Sequence, residues 1–216
     1  MMLFMGLGCV VGSHILYGIT NIRYFKVLPL VSSPEEFFML MEIIFGGGVF
    51  YGGLLGGLTA SFIYIKVKKL ALWDYADCGA ACIPLFHSFA RVGCFFAGCC
   101  YGKECSLGFA SKANEFIPDV VGVTRFPVQL LEAFLNLMLS IAIFYMLKKG
   151  CAKGRLIFIY LSVYSIIRFN LEFLRGDAMR GIWFGVSTSQ WVSIILLVLS
   201  TFALIMETKK KNRMIK

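Results

Sequence analysis

The stretch Phe126–Leu147, which reads FPVQLLEAFLNLMLSIAIFYML, decides the fold class of this chain. It holds a single charged residue, Glu132. Its length matches the roughly 20 apolar residues that a transmembrane helix needs. Five similar stretches occur elsewhere in the 216 residues, namely Met1–Ile22, Ile43–Ile65, Cys78–Gly102, Leu156–Leu174 and Ser189–Met206. The sequence therefore predicts an all-α, polytopic integral membrane protein with about six transmembrane helices.

The composition of the whole chain supports this class. Hydrophobic residues make up 59% of the sequence, charged residues make up 15%, and the mean hydropathy is +0.80. Soluble domains usually carry about 25% charged residues, so a soluble fold and a disordered chain are both excluded. No linker divides the sequence, which predicts a single membrane-embedded domain over residues 1–216. The net charge of +9 lies in short loops, where membrane topology explains it, so we expect no nucleic-acid partner.

The basic residues are unevenly distributed among the loops. Twelve of the 21 lie in three alternate segments, at positions 66–69, 148–155 and 209–216. The other loops hold seven basic residues, which six acidic residues nearly balance. The positive-inside rule therefore predicts that the N- and C-termini are cytoplasmic and that the polar loop at 103–125 faces outward.

Ionisable side chains inside the apolar stretches are the strongest functional candidates. A charged side chain at the bilayer centre costs about 2.5–3.5 kcal/mol on insertion scales, and such residues are usually functional. Arg91 follows His87 by one helical turn. Tyr164, Arg168 and Glu172 recur every four residues, which places a phenol, a guanidinium and a carboxylate on one helical face.

Two interpretations of the charged residues remain open. Arg168 and Glu172 can form a structural ion pair, and Glu132 can lie near the membrane interface. Alternatively, Arg91 and Arg168 exceed the acidic groups near them and bind an anion. The anion that a bilayer supplies is a lipid phosphate, whose oxygens the planar guanidinium binds in a bidentate manner.

Four cysteines cluster near the end of the third stretch, at Cys94, Cys99, Cys100 and Cys105. A disulfide between one of the adjacent pair and Cys105, simple packing, and a metal site are all compatible with this pattern. The segment contains no CxxC pair, which zinc sites usually have. We therefore expect no metal ion and no cofactor.

Five sequence blocks, in order, resemble the prolipoprotein diacylglyceryl transferase family. Ala90–Gly102 is similar to its signature, which reads Gly-Arg-x-Gly-(Asn or Cys)-Phe and ends in Gly. Phe50–Gly56 resembles its Phe-His-Gly-Gly-Leu-Ile-Gly block, and Arg125–Glu132 resembles its His-Pro-Ser-Gln-Leu-Tyr-Glu block. Tyr164–Asp177 resembles its Tyr-x-x-x-Arg-Phe-x-x-Glu-x-x-Arg block, and Ser187–Gln190 its Ser-x-x-Gln. Together the blocks span nearly the whole chain.

The resemblance implies a multi-pass transferase of the bacterial plasma (inner) membrane. Such an enzyme moves the diacylglyceryl group of phosphatidylglycerol, a membrane lipid, onto the lipobox cysteine of a prolipoprotein signal peptide, the first step of lipoprotein maturation. By this likeness Arg91 and Arg168 clamp the phosphate. The residues expected to bind or orient the substrates are Gly93, Cys94, Gly102, Gln129, Glu132, Tyr164 and Glu172.

The sequence departs from the family pattern at several positions. Tyr51 stands where many members carry a histidine that could act as the base, so Tyr51 and His87 are competing candidates for that role. Cys94 replaces the signature asparagine, and Cys99 replaces an acidic residue. Met1–Asn21 resembles the family's second helix, which suggests that the first is missing. A related transferase with another acceptor, or a non-catalytic phospholipid-binding paralogue, therefore remains an alternative.

Overall fold

A computed structural model describes residues 2–110, 122–176 and 181–215 of the chain. These residues form two compact units, Met1–Leu72 and Trp73–Lys216, and each unit is described by itself. The described α-helices are α1 (Met2–Thr20), α2 (Pro34–Phe45), α3 (Phe50–Val67), α4 (Leu72–Phe96), α5 (Val128–Lys148), α6 (Leu156–Leu171) and α7 (Thr188–Ile215). Shorter 3₁₀ helices cover Ile22–Leu30 and Glu172–Leu174. The prediction of a single domain over 1–216 stays a prediction.

Five of the described helices are long and apolar enough to cross a membrane. Their candidate spans are Leu3–Thr20, Leu72–Phe96, Val128–Lys148, Leu156–Leu174 and Thr188–Lys210. These helices present large apolar side chains outward, as Phe86 does with 76% of its surface exposed. In water such surfaces would be unfavourable, whereas lipid tails cover them without penalty. The all-α membrane class is confirmed, and the predicted orientation of the termini stays a prediction.

The second predicted span is the one that differs most from the structure. The sequence predicted one helix over Ile43–Ile65, but α2 ends at Phe45 and α3 begins at Phe50. The three glycines at 46–48 lie in this break, where each would weaken a continuous helix by about 1 kcal/mol. The start of α2 is fixed by Ser33, whose hydroxyl accepts a hydrogen bond from the Glu36 amide at 3.2 Å.

In the first unit, α1 and α3 approach closely along glycines. A Cβ added at Gly8 or Gly12 would overlap the carbonyl oxygens of Gly56 and Gly52, respectively. Gly52 and Gly56, which lie one turn apart on α3, form the other side of this contact. Small residues let two backbones approach, which strengthens dispersion contacts inside a bilayer.

In the second unit, side-chain hydrogen bonds join α4 to both α6 and α5, and Asp77 of α4 makes those to α6. Its carboxylate accepts hydrogen bonds from the backbone amides of Gly154, Leu156 and Ile157, at the start of α6. It thereby satisfies amides that lack partners within α6 and places negative charge at the positive end of the helix dipole. Ser140 of α5 donates to the Ala81 carbonyl at 2.7 Å. These bonds fix α4, α5 and α6, which carry the candidate site.

The segment predicted as an outward loop at 103–125 contains strands. Strand β1 (Glu104–Ala110) pairs antiparallel with β2 (Thr124–Arg125), and residues 111–121 lie outside the described residues. A hairpin of β3 (Ile182–Trp183) and β4 (Val186–Ser187) precedes α7. The pairing of β1 joins segments far apart in the sequence, so local polarity alone predicted only a loop.

Candidate active site

The centre of the candidate site is a charged cluster between α4 and α5. His87 and Arg91 lie one turn apart on α4, and Glu132, which is fully buried, faces them from α5. Nε of Arg91 lies 3.0 Å from Oε2 of Glu132 and donates to Nε2 of His87 at 3.2 Å. Nε2 of His87 lies 3.6 Å from Oε1 of Glu132. The three side chains therefore form one electrostatic unit.

A second cluster lies at the end of α6. Nη2 of Arg168 is 2.8 Å from Oε2 of Glu172 and donates to the Ser189 hydroxyl at 3.1 Å. Nη1 of Arg168 is buried and has no hydrogen-bond partner among the described residues. A buried donor without a partner costs about 1–3 kcal/mol, more when it is charged. A ligand that accepts this hydrogen bond would remove that cost.

Two hydrogen bonds hold the start of α7, which carries the Ser189 hydroxyl that Arg168 contacts. The amide of Ser187 donates to Oε1 of Gln190 at 3.0 Å, and the amide of Gln190 donates to the Ser187 hydroxyl at 3.2 Å. This reciprocal pair is a capping box, which the Ser-x-x-Gln spacing encodes. It fixes the first turn of α7 and with it Ser189.

Both membrane arginines have acidic partners, which for Arg168 and Glu172 is the ion-pair interpretation that the sequence left open. Glu132 pairs with Arg91, and Glu172 pairs with Arg168, so two arginines face two carboxylates. The excess of positive charge comes instead from Arg175, which is also buried. Three guanidiniums and two carboxylates give the site a formal charge of +1 when His87 is neutral, which suits an anionic ligand.

Tyr164 lies within electrostatic range of both charged clusters. Its ring stacks on Tyr160 with centroids 5.8 Å apart, and it lies 5.4 Å from the His87 ring. The phenol interacts electrostatically with Glu132 and with all three site arginines. The two charged clusters, which the sequence could only treat separately, therefore belong to one site.

The segment after α4 is fixed by hydrogen bonds to neighbouring backbone. Nε2 of Gln129 donates to the Cys99 carbonyl at 2.7 Å. Gly102 forms a bridge with Arg175, and a Cβ at this glycine would overlap the Phe126 carbonyl and lie 3.0 Å from that of Leu174. Glycine is therefore required where these three backbone segments cross.

Comparison with known proteins gives a consistent result. A family model described as prolipoprotein diacylglyceryl transferase matches residues 1–206. This chain belongs to the prolipoprotein diacylglyceryl transferase family. It is 28% identical over 208 residues to the phosphatidylglycerol–prolipoprotein diacylglyceryl transferase of Clostridium tetani, covering 95% of this chain and 79% of that protein. It is 33% identical over 192 residues to transferase 2 of the same name from Clostridium perfringens, covering 88% and 70%.

Most of the residues expected from the family blocks lie in the second unit. Contacts link the following side chains there: His87, Arg91, Glu132, Tyr164, Arg168 and Glu172. Gln129 and Gly102 hold the adjoining backbone. Tyr51 lies in the first unit, in the first turn of α3, with 69% of its surface exposed. The role of each residue in this member of the prolipoprotein diacylglyceryl transferase family stays a prediction.

Gly93 and Cys94, which complete the family signature, differ in their surroundings. A Cβ added at Gly93 meets nothing within 4 Å, so packing within the chain does not require glycine there. The Cys94 thiol lies within 4.8 Å of two other thiols, those of Cys99 and Cys100.

Arg175 is the residue that the sequence predictions missed. It was counted among the loop charges because it follows the apolar stretch that ends at Leu174. The structure buries it, and it interacts with Cys100, Arg91 and Tyr164. Arg175 is the last arginine of the Tyr164–Asp177 block, which this transferase family also carries, and that position could have identified it as a site residue.

Proposed function

We propose that this protein transfers the diacylglyceryl group of phosphatidylglycerol to the lipobox cysteine of a prolipoprotein signal peptide. The sulfur of the cysteine thiolate attacks the glycerol carbon that carries the phosphate. A carbon–sulfur bond forms, the carbon–oxygen bond breaks, and glycerol phosphate leaves with the electron pair. The thiol proton passes to a base or to solvent.

The observation that carries this proposal is that Arg91, Arg168 and Arg175 all lie within electrostatic range of one side chain, Tyr164. Guanidiniums fixed in a water-poor site stabilise the negative charge that develops on a departing phosphate. The unpartnered Nη1 of Arg168 offers a donor to a phosphate oxygen. Glu132 and Glu172 hold two of these guanidiniums in position through the ion pairs described above.

The remaining family residues have supporting roles in this proposal. Gln129 and Gly102 keep the segment after α4 beside the arginines. Gly93 leaves open space at the end of α4 for the lipid, and Cys94 lies in the same last turn. An apolar cavity of about 260 Å³ lies beside Gln129, and its aromatic lining would contact an apolar part of a substrate. The cavity is lined in part by Phe95, Phe96, Phe109 and Phe126.

A reconstituted reaction tests the proposal. The purified full chain is incubated with phosphatidylglycerol and a lipobox peptide, and mass spectrometry detects the diacylglyceryl thioether. We expect Arg91→Lys and Arg168→Lys to lower turnover by about 10²-fold, because lysine keeps the charge but loses the planar geometry. The control Arg23→Lys, in the 3₁₀ helix of the first unit, should leave turnover unchanged.

Other outcomes of this experiment contradict the proposal. Release of glycerol phosphate without a modified peptide would indicate a transferase with another acceptor. Binding of phosphatidylglycerol without release would indicate a non-catalytic paralogue. Near-wild-type turnover of both lysine variants would remove the arginines from phosphate binding.

Two side chains are candidates for the base that accepts the thiol proton. We propose Tyr51 or His87 for this role, and the two differ in pH response. Imidazole ordinarily titrates at about 6.5 and phenol at about 10, so a phenol base gives turnover that rises with pH above neutrality. Tyr51→His should then raise turnover near pH 7. Loss of turnover in His87→Gln together with full turnover in Tyr51→Phe would instead assign the base to His87.

The proposed cellular setting is the bacterial plasma membrane, with both termini in the cytoplasm. The charge distribution among the loops supports this orientation. A single cysteine introduced into the tail of a cysteine-free variant should resist an impermeant maleimide added to intact cells. Efficient labelling from outside would overturn the orientation.

A further inference from the structure

Three cysteine thiols meet just after α4. The Sγ atoms of Cys94, Cys99 and Cys100 all lie within 4.8 Å of one another, and all three residues are half-buried. The sequence pattern predicted no metal site here, because the cysteines lack CxxC spacing. The structure shows that chain geometry, rather than that spacing, brings the thiols together.

A tight turn produces this arrangement. After α4 ends at Phe96, Gly98 adopts a φ of +69° and Cys100 adopts a φ of +57°. The Cys99 amide donates to the Cys94 carbonyl at 3.2 Å, and Gln129 binds the Cys99 carbonyl from α5. A non-glycine residue at positive φ is uncommon and persists only where its surroundings hold it. The three thiols are thus presented by a fixed turn.

The spacing of the thiols suits a soft cation. Zinc–sulfur bonds of about 2.3 Å imply sulfur–sulfur distances of about 3.8 Å in a tetrahedral site. The observed upper limit of 4.8 Å is within 1 Å of that value, so rotation of the side chains suffices to complete the site. Thiolates select soft cations such as Zn²⁺, Cd²⁺ and Cu⁺.

Cationic groups lie beside the thiols. The Arg175 guanidinium donates a hydrogen bond to the Cys100 thiol, and Arg91 interacts electrostatically with Cys94 and Cys100. A bound cation deprotonates its thiol ligands. Three thiolates on a divalent cation carry a net charge of −1, which is favourable beside these arginines.

We propose that Cys94, Cys99 and Cys100 form a binding site for a thiophilic d¹⁰ cation of the zinc class. Each thiolate supplies one sulfur ligand, and the fourth position of a tetrahedral ion is left for water. This proposal stands on the geometry of the cysteines and does not depend on the transferase activity.

Cadmium titration of the purified, reduced full chain tests the proposal. We expect one Cd²⁺ per chain, measured by elemental mass spectrometry, with the ultraviolet charge-transfer band of cadmium thiolates. The substitutions Cys94→Ser, Cys99→Ser and Cys100→Ser each remove a ligand, so each variant should bind Cd²⁺ at least about tenfold more weakly. The matched controls Cys78→Ser and Cys82→Ser, on exposed positions of α4, should bind as the unmodified protein does.

A second measurement uses the unmodified protein, so it tests the proposal even if a cysteine variant does not fold. Alkylation of the unmodified protein with N-ethylmaleimide, followed by peptide mapping, should show that Cd²⁺ protects these three cysteines and leaves Cys78 and Cys82 reactive. Absence of stoichiometric binding, binding without the charge-transfer band, or protection of other cysteines would each overturn the proposal. So would a disulfide within the trio that persists under the reducing conditions of the titration.

Discussion

Replacing Glu132 with glutamine should lower the free energy of unfolding by about 3–5 kcal/mol, because it leaves the mostly covered guanidinium of Arg91 without its carboxylate. Glu132 is fully buried, and Arg91 and His87 lie 3.0 and 3.6 Å from its two oxygens. Glutamine has almost the same shape, so the cavity term is small and the loss is electrostatic. The change therefore isolates the contribution of the negative charge.

The matched control is Glu104→Gln at the start of β1. Glu104 also pairs with an arginine, Arg125, at 3.3 Å, but 71% of its side chain is exposed. Exposed ion pairs contribute about 0–1 kcal/mol, so this variant should unfold almost as the unmodified protein does. Both variants are unfolded by denaturant titration in detergent micelles, and their midpoints are compared with that of the parent.

The double variant Glu132→Gln with Arg91→Gln completes the test. Removing both charges should recover part of the loss, because no unpaired charge then remains buried. Equal midpoints for Glu132→Gln and Glu104→Gln, or a double variant that shows only the sum of the single losses, would refute the buried ion pair as the organising contact of the site.

Three other predictions concern the frame around the site. Asp77→Asn should destabilise the protein by about 1–2 kcal/mol, measured by the same unfolding assay, since its carboxylate caps α6 with charge as well as hydrogen bonds. Gly102→Ala should cost about 1–3 kcal/mol through overlap with backbone carbonyls, whereas Gly79→Ala on α4 should be neutral or stabilising because its Cβ would meet only an ordinary contact. Cys100 should react with iodoacetamide at a lower pH than an ordinary thiol, because its pKa is lowered, and Arg175→Gln should shift the reaction to higher pH in peptide-resolved mass spectrometry.

The sequence predicted those features of the fold that depend on local composition. Runs of apolar residues near 20 in length predicted α5 and α6 to within three residues at each end. Helix α4 begins and ends six residues before the predicted Cys78–Gly102, and α7 continues nine residues beyond the predicted end at Met206. The prediction of one continuous helix over Ile43–Ile65 was wrong. Hydropathy averaged along the chain does not register three consecutive glycines as a break. Strand β1 was missed because its stability comes from pairing with β2 beyond residue 121.

The candidate site was predictable to the extent that its residues share a helix. Helical periodicity placed His87 beside Arg91 and Arg168 beside Glu172, and the structure confirms both contacts. The pair between Arg91 and Glu132 joins two helices, so no spacing within one helix could predict it. Charge balance across a site is a property of the folded bundle, which is why the sequence left open whether the arginines are paired.

The contact among the three cysteine thiols is another feature that spacing along the sequence did not predict. Cys94 and Cys99 both lie in the signature block of this chain, and their thiols lie within 4.8 Å of each other and of Cys100. Their approach depends on the positive φ values at Gly98 and Cys100, which bend the chain back onto the end of α4. No spacing pattern along the sequence registers such a turn, which is why the cysteine pattern argued against a metal site. The thiol geometry that the turn produces is what fits a common soft cation.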